Sequence, residues 1–319
     1  MKLPTEKELR DVSIEVVKHI LHSGHQASGS KDFADYADRI TPKWKDPTNR
    51  TCFLDKLARS HFVEELKKAF GDSIVIFGEE EKNRPRKDFQ NINKIVAFVD
   101  PVDGTDLAVR GFSNWVSTVI FLIPKQKKIV SAVVGHSSGD IYYAHEAGAY
   151  IRPCAAGKKK NHDKILRCNS NKHIPLCESS ICYYGQKPKN FVEMAKHAGF
   201  NEKMKDLAER MSDKINAAGK LIKKKEGLDI RIYNLAGNPM IVKIPSGMVN
   251  AVFSLRGAKV YDVMPAAYIA VKAGAVFSDI QGNVVDPFVP FLKPNDSFPY
   301  IVSGSKSLTK ELAGILSKP

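Results

Sequence analysis

The sequence predicts a mixed α and β protein built of layered sheets. Along the whole chain, short apolar runs typical of strands alternate with segments whose apolar residues recur every three or four positions. Two of the runs, 74–77 and 95–99, are continuously apolar, as expected for strands covered on both faces. The chain has 319 residues, 43% of them hydrophobic and 26% charged, which is enough for a sizeable core in one large domain or two of ordinary size.

The first helix is predicted near the amino terminus, where Thr5 and Glu8 form a capping-box pattern. Residues 23–50 are polar and show no period, so we expect a loop there. Helical spacing returns over residues 55–70, and Asp55 lies at the start of this helix, where a carboxylate interacts favourably with the helix dipole. Beyond the two apolar runs, further strands are predicted at 116–123, 129–135 and 140–144.

A domain boundary is predicted within residues 152–163, which contain a proline, a glycine and three consecutive lysines. We therefore expect an α+β half over residues 1–155 and an α/β half over residues 156–319. In the second half, strands are predicted at 164–167, 179–184, 229–233, 249–254, 275–277 and 300–303. Helices are predicted near 190–198 and 202–226, from 237, from 263, and over 307–317.

The charge balance is strongly basic, with 49 Lys and Arg against 35 Asp and Glu, a difference of 49 − 35 = +14. Such an excess fits nucleic acid, an anionic membrane surface or a small polyanionic substrate. The lysine runs lack interleaved aromatic residues, so we interpret them as a solvated surface and expect neither a nucleic-acid nor a membrane partner. The five cysteines form no CxxC pair, and the amino terminus lacks the apolar core of a signal peptide, so we expect reduced thiols and a cytoplasmic protein.

Acidic residues follow both buried apolar runs directly. Glu79 and Glu80 come after the first run, and Asp100 and Asp103 come at the end of the second. Strand ends in layered α/β proteins open into crevices where ligands bind. Carboxylates gathered in a crevice are costly without a cation, and an all-oxygen donor set with no nearby His or Cys selects a hard ion such as Mg2+.

The same segment carries a second signal, because Gly104 and Thr105 follow Asp103 at a predicted helix start. Glycine permits close approach of the backbone, and the N–H groups that open a helix favour a phosphate. Cation ligands and an anion-binding turn within six residues indicate a metal-assisted reaction of a phosphate.

Three motifs in order resemble the inositol monophosphatase family, within a superfamily that includes fructose-1,6-bisphosphatases and bisphosphate nucleotidases. The first two are Gly78-Glu79-Glu80 and the stretch Asp100-Pro-Val-Asp-Gly-Thr105. The third is Tyr261-Asp262, opening a helix that ends in Ala273-Gly274, followed by Ser278-Asp279-Ile-Gln-Gly282. The resemblance implies a layered αβαβα sandwich of the sugar-phosphatase type, a homodimer and inhibition by Li+.

The resemblance also implies a metal site for two or three Mg2+ ions. Glu79, Asp100 and the backbone carbonyl of Val102 would hold the first ion, and Asp100, Asp103 and Asp262 the second. Glu79 would also contact a third, loosely held ion.

Catalytic and phosphate-binding roles follow from the same resemblance. Thr105, with Glu80 behind it, would orient and deprotonate the attacking water, and the N–H groups of Gly104 and Thr105 would hold the phosphate. Asp55 aligns with a family aspartate that supports the metal-site loop, as a neighbour of the ligands rather than a ligand. Either Lys43 or Lys45 would lie near the metals.

One departure from the family pattern bears on the substrate. Inositol-specific members carry a glutamate about seven residues before the third aspartate, and here residues 253–259 contain no acid. Arg256 and Lys259 would instead bind a second phosphate, or else lie in a solvated turn. Arg110 also occurs in relatives that hydrolyse bisphosphorylated nucleotides.

The prediction is therefore a Mg2+-dependent phosphomonoesterase of the inositol monophosphatase type that acts on a small phosphorylated metabolite. The alternatives within the enzyme class are a 3′(2′),5′-bisphosphate nucleotidase and a fructose-1,6-bisphosphatase. From other classes, a non-catalytic phosphate-binding protein or a nucleic-acid-binding protein would fit part of the pattern.

Overall fold

Two large sheets and the helices packed on them form most of the part of the chain that the structure describes. The computed structural model describes residues 3–28, 41–43, 46–51, 53–78, 85, 89–108, 110–153, 162–185, 187–216, 229–235 and 237–317. Within these ranges the strands form a seven-stranded sheet, a five-stranded sheet and a two-stranded hairpin.

The first part of the chain forms the large sheet and the helices on its outer face. Its helices are α1 (Glu6–Ser28), α2 (Phe53–Phe70) and α3 (Thr105–Ala108). The hairpin is β1 (Thr41–Lys43) with β2 (Asp46–Thr51). The large sheet contains β3 (Ile74–Gly78), β4 (Ile95–Asp103), β5 (Val116–Ile123), β6 (Lys128–His136), β7 (Ile141–His145), β8 (Gly148–Arg152) and β9 (Lys164–Leu166), in that order.

The second part forms the smaller sheet. Its strands are β10 (Ser180–Tyr183), β11 (Arg231–Tyr233), β12 (Ala251–Ala258), β13 (Val276–Ser278) and β14 (Phe298–Ser303). They lie side by side in the order β11-β10-β12-β14-β13. The helices are α4 (Pro188–Lys196), α5 (Ala198–Asn216), α6 (Asn238–Ile241), α7 (Val260–Lys272) and α8 (Lys306–Leu316).

Three hydrophobic cores separate five layers. One core lies between α1, α2 and the large sheet, a second surrounds α7 between the two sheets, and a third lies between the small sheet and α4, α5 and α8. Buried residues occur all round α7, as expected for a helix covered on every side. The predicted αβαβα sandwich is confirmed, and β5, which is buried along its whole length, spans the predicted 116–123.

The prediction of a loop over residues 23–50 is wrong where the structure describes this segment. Helix α1 continues to Ser28, and β1 pairs with β2. Gly24 lies within α1, where a Cβ atom would come within 2.6 Å of the Trp115 ring. The glycine reads as a helix breaker in sequence, yet it is what allows the helix to pack this closely on Trp115, so packing overrides local propensity.

Strand β8 is not predicted from the sequence, because it begins with a glycine and contains only three consecutive apolar residues. The division of the chain at 155/156 stays a prediction, and β9, the last strand of the large sheet, lies beyond it. Among the described helices, none is both long and apolar enough to cross a membrane.

Candidate active site

The end of β4 carries two acids on one side of the strand because the strand is bulged. Asp100 pairs with Thr118 and Asp103 with Val116, so three steps on β4 oppose two on β5. In a regular strand, residues three apart point to opposite faces, and one extra residue restores them to the same face. Pro101 has no N–H for the ladder and is tolerated at such an irregularity.

Gly104 makes the turn from β4 into α3. Its φ is +95°, a conformation that L side chains rarely adopt, and a Cβ there would lie 3.1 Å from the Asn114 carbonyl oxygen. Its carbonyl accepts hydrogen bonds from the N–H groups of Leu107 and Ala108, at 2.9 and 3.0 Å, which starts the helix. The glycine therefore fixes where Thr105 begins α3.

The Thr105 hydroxyl lies between two acceptors. Its Oγ1 is 3.0 Å from Oδ1 of Asp55 and 3.0 Å from the carbonyl oxygen of Val102. A hydroxyl has a single proton to donate, so the two oxygens compete for it. Asp55 is only 2% exposed, in the first turn of α2, and α2 thereby delivers a buried carboxylate to the strand end.

The third acid comes from the second part of the chain. Asp262 lies in the first turn of α7, and its Oδ2 accepts a hydrogen bond from the backbone N–H of Lys259 at 3.2 Å. The first residue of α6 also contacts the first part of the chain, because the N–H of Asn238 donates to Oδ2 of Asp103 at 3.2 Å. The site is thus assembled from both halves of the chain.

Asp100, Asp103 and Asp262 form an acidic group that could bind metal. Each offers a carboxylate oxygen, and the three oxygens lie within 4.8 Å of one another. Asp100 is 4% exposed, so its charge lies in a poorly solvated place next to two like charges. The donors are all carboxylate oxygens, which is the set that a hard cation such as Mg2+ prefers.

A buried tyrosine lies beneath the acidic group. Tyr300, in β14, is fully buried, and burial raises the pKa of its hydroxyl well above 10, with the charges of Asp262 and Asp103 acting in the same direction. The phenol therefore stays neutral and adds no negative charge to the site.

The structure does not describe three of the other predicted site residues, which are Glu79, Glu80 and Lys45. Lys43 lies in β1. At the surface, Arg256 is paired with Glu193 at 3.2 Å and Arg110 with Asp106 at 3.6 Å. Lys259 precedes α7, and its backbone contacts Asp262.

Asn238 is the residue that sequence reasoning misses. It is fully buried, and its side chain bonds to the backbone of α7 while its N–H bonds to Asp103. The signal available was Gly-Asn-Pro at 237–239, a turn sequence before a short helix. Nothing in that tripeptide indicates its partners, which lie elsewhere in the chain.

Five alternating layers, with an acidic group where the end of β4 meets the start of α7, are the arrangement of a phosphatase-type α/β sandwich. The model of the inositol monophosphatase family matches residues 34–318, so the chain belongs to this family. With the family comes the class of activity: the protein is a phosphomonoesterase, in a family that generally uses Mg2+ and acts on small phosphorylated substrates.

Solved structures with the same fold share little sequence with this chain. The inositol monophosphatase of Thermotoga maritima is 19% identical, with a TM-score of 0.63 and 96% of each chain covered. The extragenic suppressor protein SuhB of Bartonella henselae is 17% identical, with a TM-score of 0.64 and coverage of 97% of this chain and 98% of that one. Inositol monophosphatase II of Staphylococcus aureus is 15% identical, with a TM-score of 0.64 and coverage of 97% and 95%. No curated protein matches the sequence significantly.

Proposed function

We propose that the protein is a Mg2+-dependent phosphomonoesterase that hydrolyses a small phosphorylated metabolite by direct attack of water. The observation that carries the proposal is the meeting of Asp100, Asp103 and Asp262, with one oxygen of each within 4.8 Å of the others. Two of them come from a bulged strand and one from a helix of the other half, so the fold brings like charges together.

These three acids, with Glu79 and the Val102 carbonyl, would hold the two or three Mg2+ ions implied by the resemblance. Bound Mg2+ would lower the pKa of the attacking water and stabilise negative charge on the phosphoryl oxygens and the leaving group. Lithium would compete for the site of the second ion.

Thr105 and Asp55 would move the proton of the attacking water. The Thr105 hydroxyl donates toward Oδ1 of Asp55, so the lone pairs of Oγ1 can accept a proton from water. As Oγ1 takes that proton, the hydroxyl proton passes to the buried Asp55 carboxylate, whose Oδ1 already accepts from it. Glu80 in the same role stays a prediction, since it lies outside the described residues.

The phosphate would be held by the N–H groups of Gly104 and Thr105 at the start of α3. Arg256, in β12, and Lys259, directly before α7, are the cations proposed to contact a second substrate phosphate. The Staphylococcus aureus neighbour has been solved with inositol monophosphate and with 2′-AMP, which supports testing sugar-type and nucleotide phosphates side by side.

The experiment is a phosphate-release assay with inositol 1-phosphate, 3′-phosphoadenosine 5′-phosphate and fructose 1,6-bisphosphate, with Mg2+ and with EDTA. We expect release from at least one ester, abolished by EDTA and by Asp100→Asn. Asp206→Asn, at an exposed carboxylate of α5, is the matched control and should leave release unchanged. Release that persists in EDTA would overturn the mechanism. Phosphate binding without release from any ester would favour the non-catalytic alternative, and tight, salt-sensitive binding of duplex DNA that survives Asp100→Asn would favour a nucleic-acid function.

Two further properties are proposed on the resemblance alone: a homodimer, tested by light scattering, and inhibition of Mg2+-dependent release by LiCl. A cytoplasmic location is also proposed.

A further inference from the structure

The amide of Asn238 fills a gap in helix α7. A proline stands inside this helix at position 265, and proline has no N–H to donate to the carbonyl four residues earlier. That carbonyl belongs to Tyr261, the residue next to Asp262. The structure supplies the missing donor from elsewhere, since Nδ2 of Asn238 donates to the Tyr261 oxygen at 2.7 Å.

The other end of the same amide contacts the turn on the far side of the proline. Oδ1 of Asn238 accepts a hydrogen bond from the N–H of Ala266 at 3.0 Å. The side chain thus bonds to α7 on both sides of Pro265, and it is fully buried while doing so. Only a side chain with both a donor and an acceptor can make this pair of bonds, which is why an amide suits the position and a carboxylate does not.

The backbone of Asn238 makes the third contact, and this one reaches the acidic group. Its N–H donates to Oδ2 of Asp103 at 3.2 Å. The preceding Gly237 has a φ of +81°, and a Cβ there would lie 3.3 Å from the Asp262 carbonyl and 3.4 Å from Oδ2 of Asp103. One residue therefore joins the helix that carries Asp262 to the carboxylate of Asp103.

We propose that Asn238 is a positioning residue that holds Asp103 and Asp262 at the separation a bound cation requires, an inference that rests on the proposed function. Like charges within 4.8 Å repel one another when no cation is present. Asn238 is bonded both to Asp103 of β4 and to α7, which carries Asp262, so it opposes the separation of the two carboxylates. Less rearrangement then accompanies metal binding. Outer contacts of this kind typically change metal affinity by about 10- to 100-fold.

A purely structural role would be to satisfy the Tyr261 carbonyl, and a compensating substitution separates the two roles. In Asn238→Ala the carbonyl loses its donor. In the double variant Asn238→Ala/Pro265→Ala, residue 265 regains an N–H that can donate to Tyr261 as in an ordinary helix. The double variant repairs α7 but does not restore the side-chain bonds that join α7 to residue 238, whose N–H contacts Asp103.

The test is the dissociation constant for Mg2+, measured by isothermal titration calorimetry, together with kcat, KM and the melting temperature. We expect the double variant to regain melting temperature relative to Asn238→Ala, while its dissociation constant for Mg2+ stays about 10-fold or more above that of the parent protein. Its kcat at subsaturating Mg2+ should fall and recover when Mg2+ is raised, with KM for the phosphate ester changed less.

Asn250→Ala is the matched control. Asn250 also uses its side-chain amide to bond a backbone, accepting from the N–H of Ser180 at 2.7 Å, but it links β10 to β12. The Asn250→Ala substitution should lower the melting temperature without changing the affinity for Mg2+. If the double variant binds Mg2+ as tightly as the parent, the positioning role is overturned. If the parent itself neither binds Mg2+ nor releases phosphate, the proposed function has failed, and the positioning role falls with it.

Discussion

Asp55 accepts a hydrogen bond from the Thr105 hydroxyl at 3.0 Å, although the two residues are 50 positions apart in sequence. The contact joins the first turn of α2 to the first turn of α3, next to the strand end that carries Asp100 and Asp103. In the proposed mechanism, this contact lets the hydroxyl proton move to a buried carboxylate as Oγ1 takes a proton from water.

Removing either member of this pair should slow the chemical step. We expect Thr105→Ala and Asp55→Asn each to lower kcat by about 10²- to 10⁴-fold, the range typical of a general base, with KM changed much less. Thr105→Ser keeps the hydroxyl and should retain most of the activity. Because the two groups act as a unit, the double variant should be no slower than the worse single variant. Additive losses in steady-state kinetics would show that they act independently.

Gly104 and Gly111 allow a controlled test of the turn before α3. Both have positive φ, +95° and +77°, but a Cβ at 104 would meet the Asn114 carbonyl at 3.1 Å, while a Cβ at 111 meets nothing within 4 Å. Alanine at either position carries a backbone penalty of about 1–2 kcal/mol, because an L residue is disfavoured at positive φ. We expect Gly104→Ala to lower the melting temperature further than Gly111→Ala and to lose most phosphate release. Equal activity of the two variants would argue against a precise role for this turn.

Arg256 tests the nature of the substrate. It is 47% exposed on its side chain and pairs with an equally exposed Glu193, so the pair should contribute less than about 1 kcal/mol to stability. If Arg256 contacts a second phosphate, Arg256→Ala raises KM for bisphosphorylated esters and leaves KM for monophosphorylated esters unchanged. Glu193→Gln removes the charged partner of the Arg256 guanidinium and should therefore lower KM for bisphosphorylated esters. Equal effects on both kinds of ester would place Arg256 outside the substrate site.

His136 should make stability depend on pH. Burial lowers the pKa of this imidazole from 6.5 to about 4, with the Lys243 charge acting in the same direction and Asp140 opposing it. Between these values the unfolded chain binds a proton at His136 and the native state does not, so stability falls as pH is lowered from about 6.5 to 4. The loss attributable to this group is on the order of 3 kcal/mol.

Urea unfolding at pH 7, 5.5 and 4.5 measures this effect. His136→Gln removes the titrating group, so its stability should fall less over this range than that of the parent protein. His173→Gln, at an exposed position outside the helices and strands, is the control and should follow the parent. A parallel decline in His136→Gln would assign the pH dependence to other groups.

The sequence allowed the layers and the motif acids to be predicted, because both are local signals. Continuous apolar runs identified the buried strands of the large sheet, and the acids flush against them indicated a site at the strand ends. The bulge between Asp100 and Asp103 was not predictable, because it depends on the register with β5. Helix α1 continues through Gly24, where Trp115, the residue before β5, packs closely on it, and this contact between distant parts of the chain gives no local signal.

Asn238 shows most clearly where reasoning from sequence ends. Pro265 leaves the Tyr261 carbonyl without its usual helix donor, and the donor that replaces it, Nδ2 of Asn238, lies 23 residues earlier in the sequence. The partner of Thr105 is a similar case. Asp55 was expected to support the metal-site loop, and its contact with Thr105 depends on how α2 packs against the large sheet.

The most direct test of the metal site is a calorimetric titration of Mg2+ into the parent protein, Asp100→Asn and Asp206→Asn. We expect saturable Mg2+ binding to the parent and to Asp206→Asn with the same dissociation constant, and binding at least about 10-fold weaker in Asp100→Asn. Equal Mg2+ affinity in all three proteins would contradict the claim that the acidic group of Asp100, Asp103 and Asp262 is the metal site.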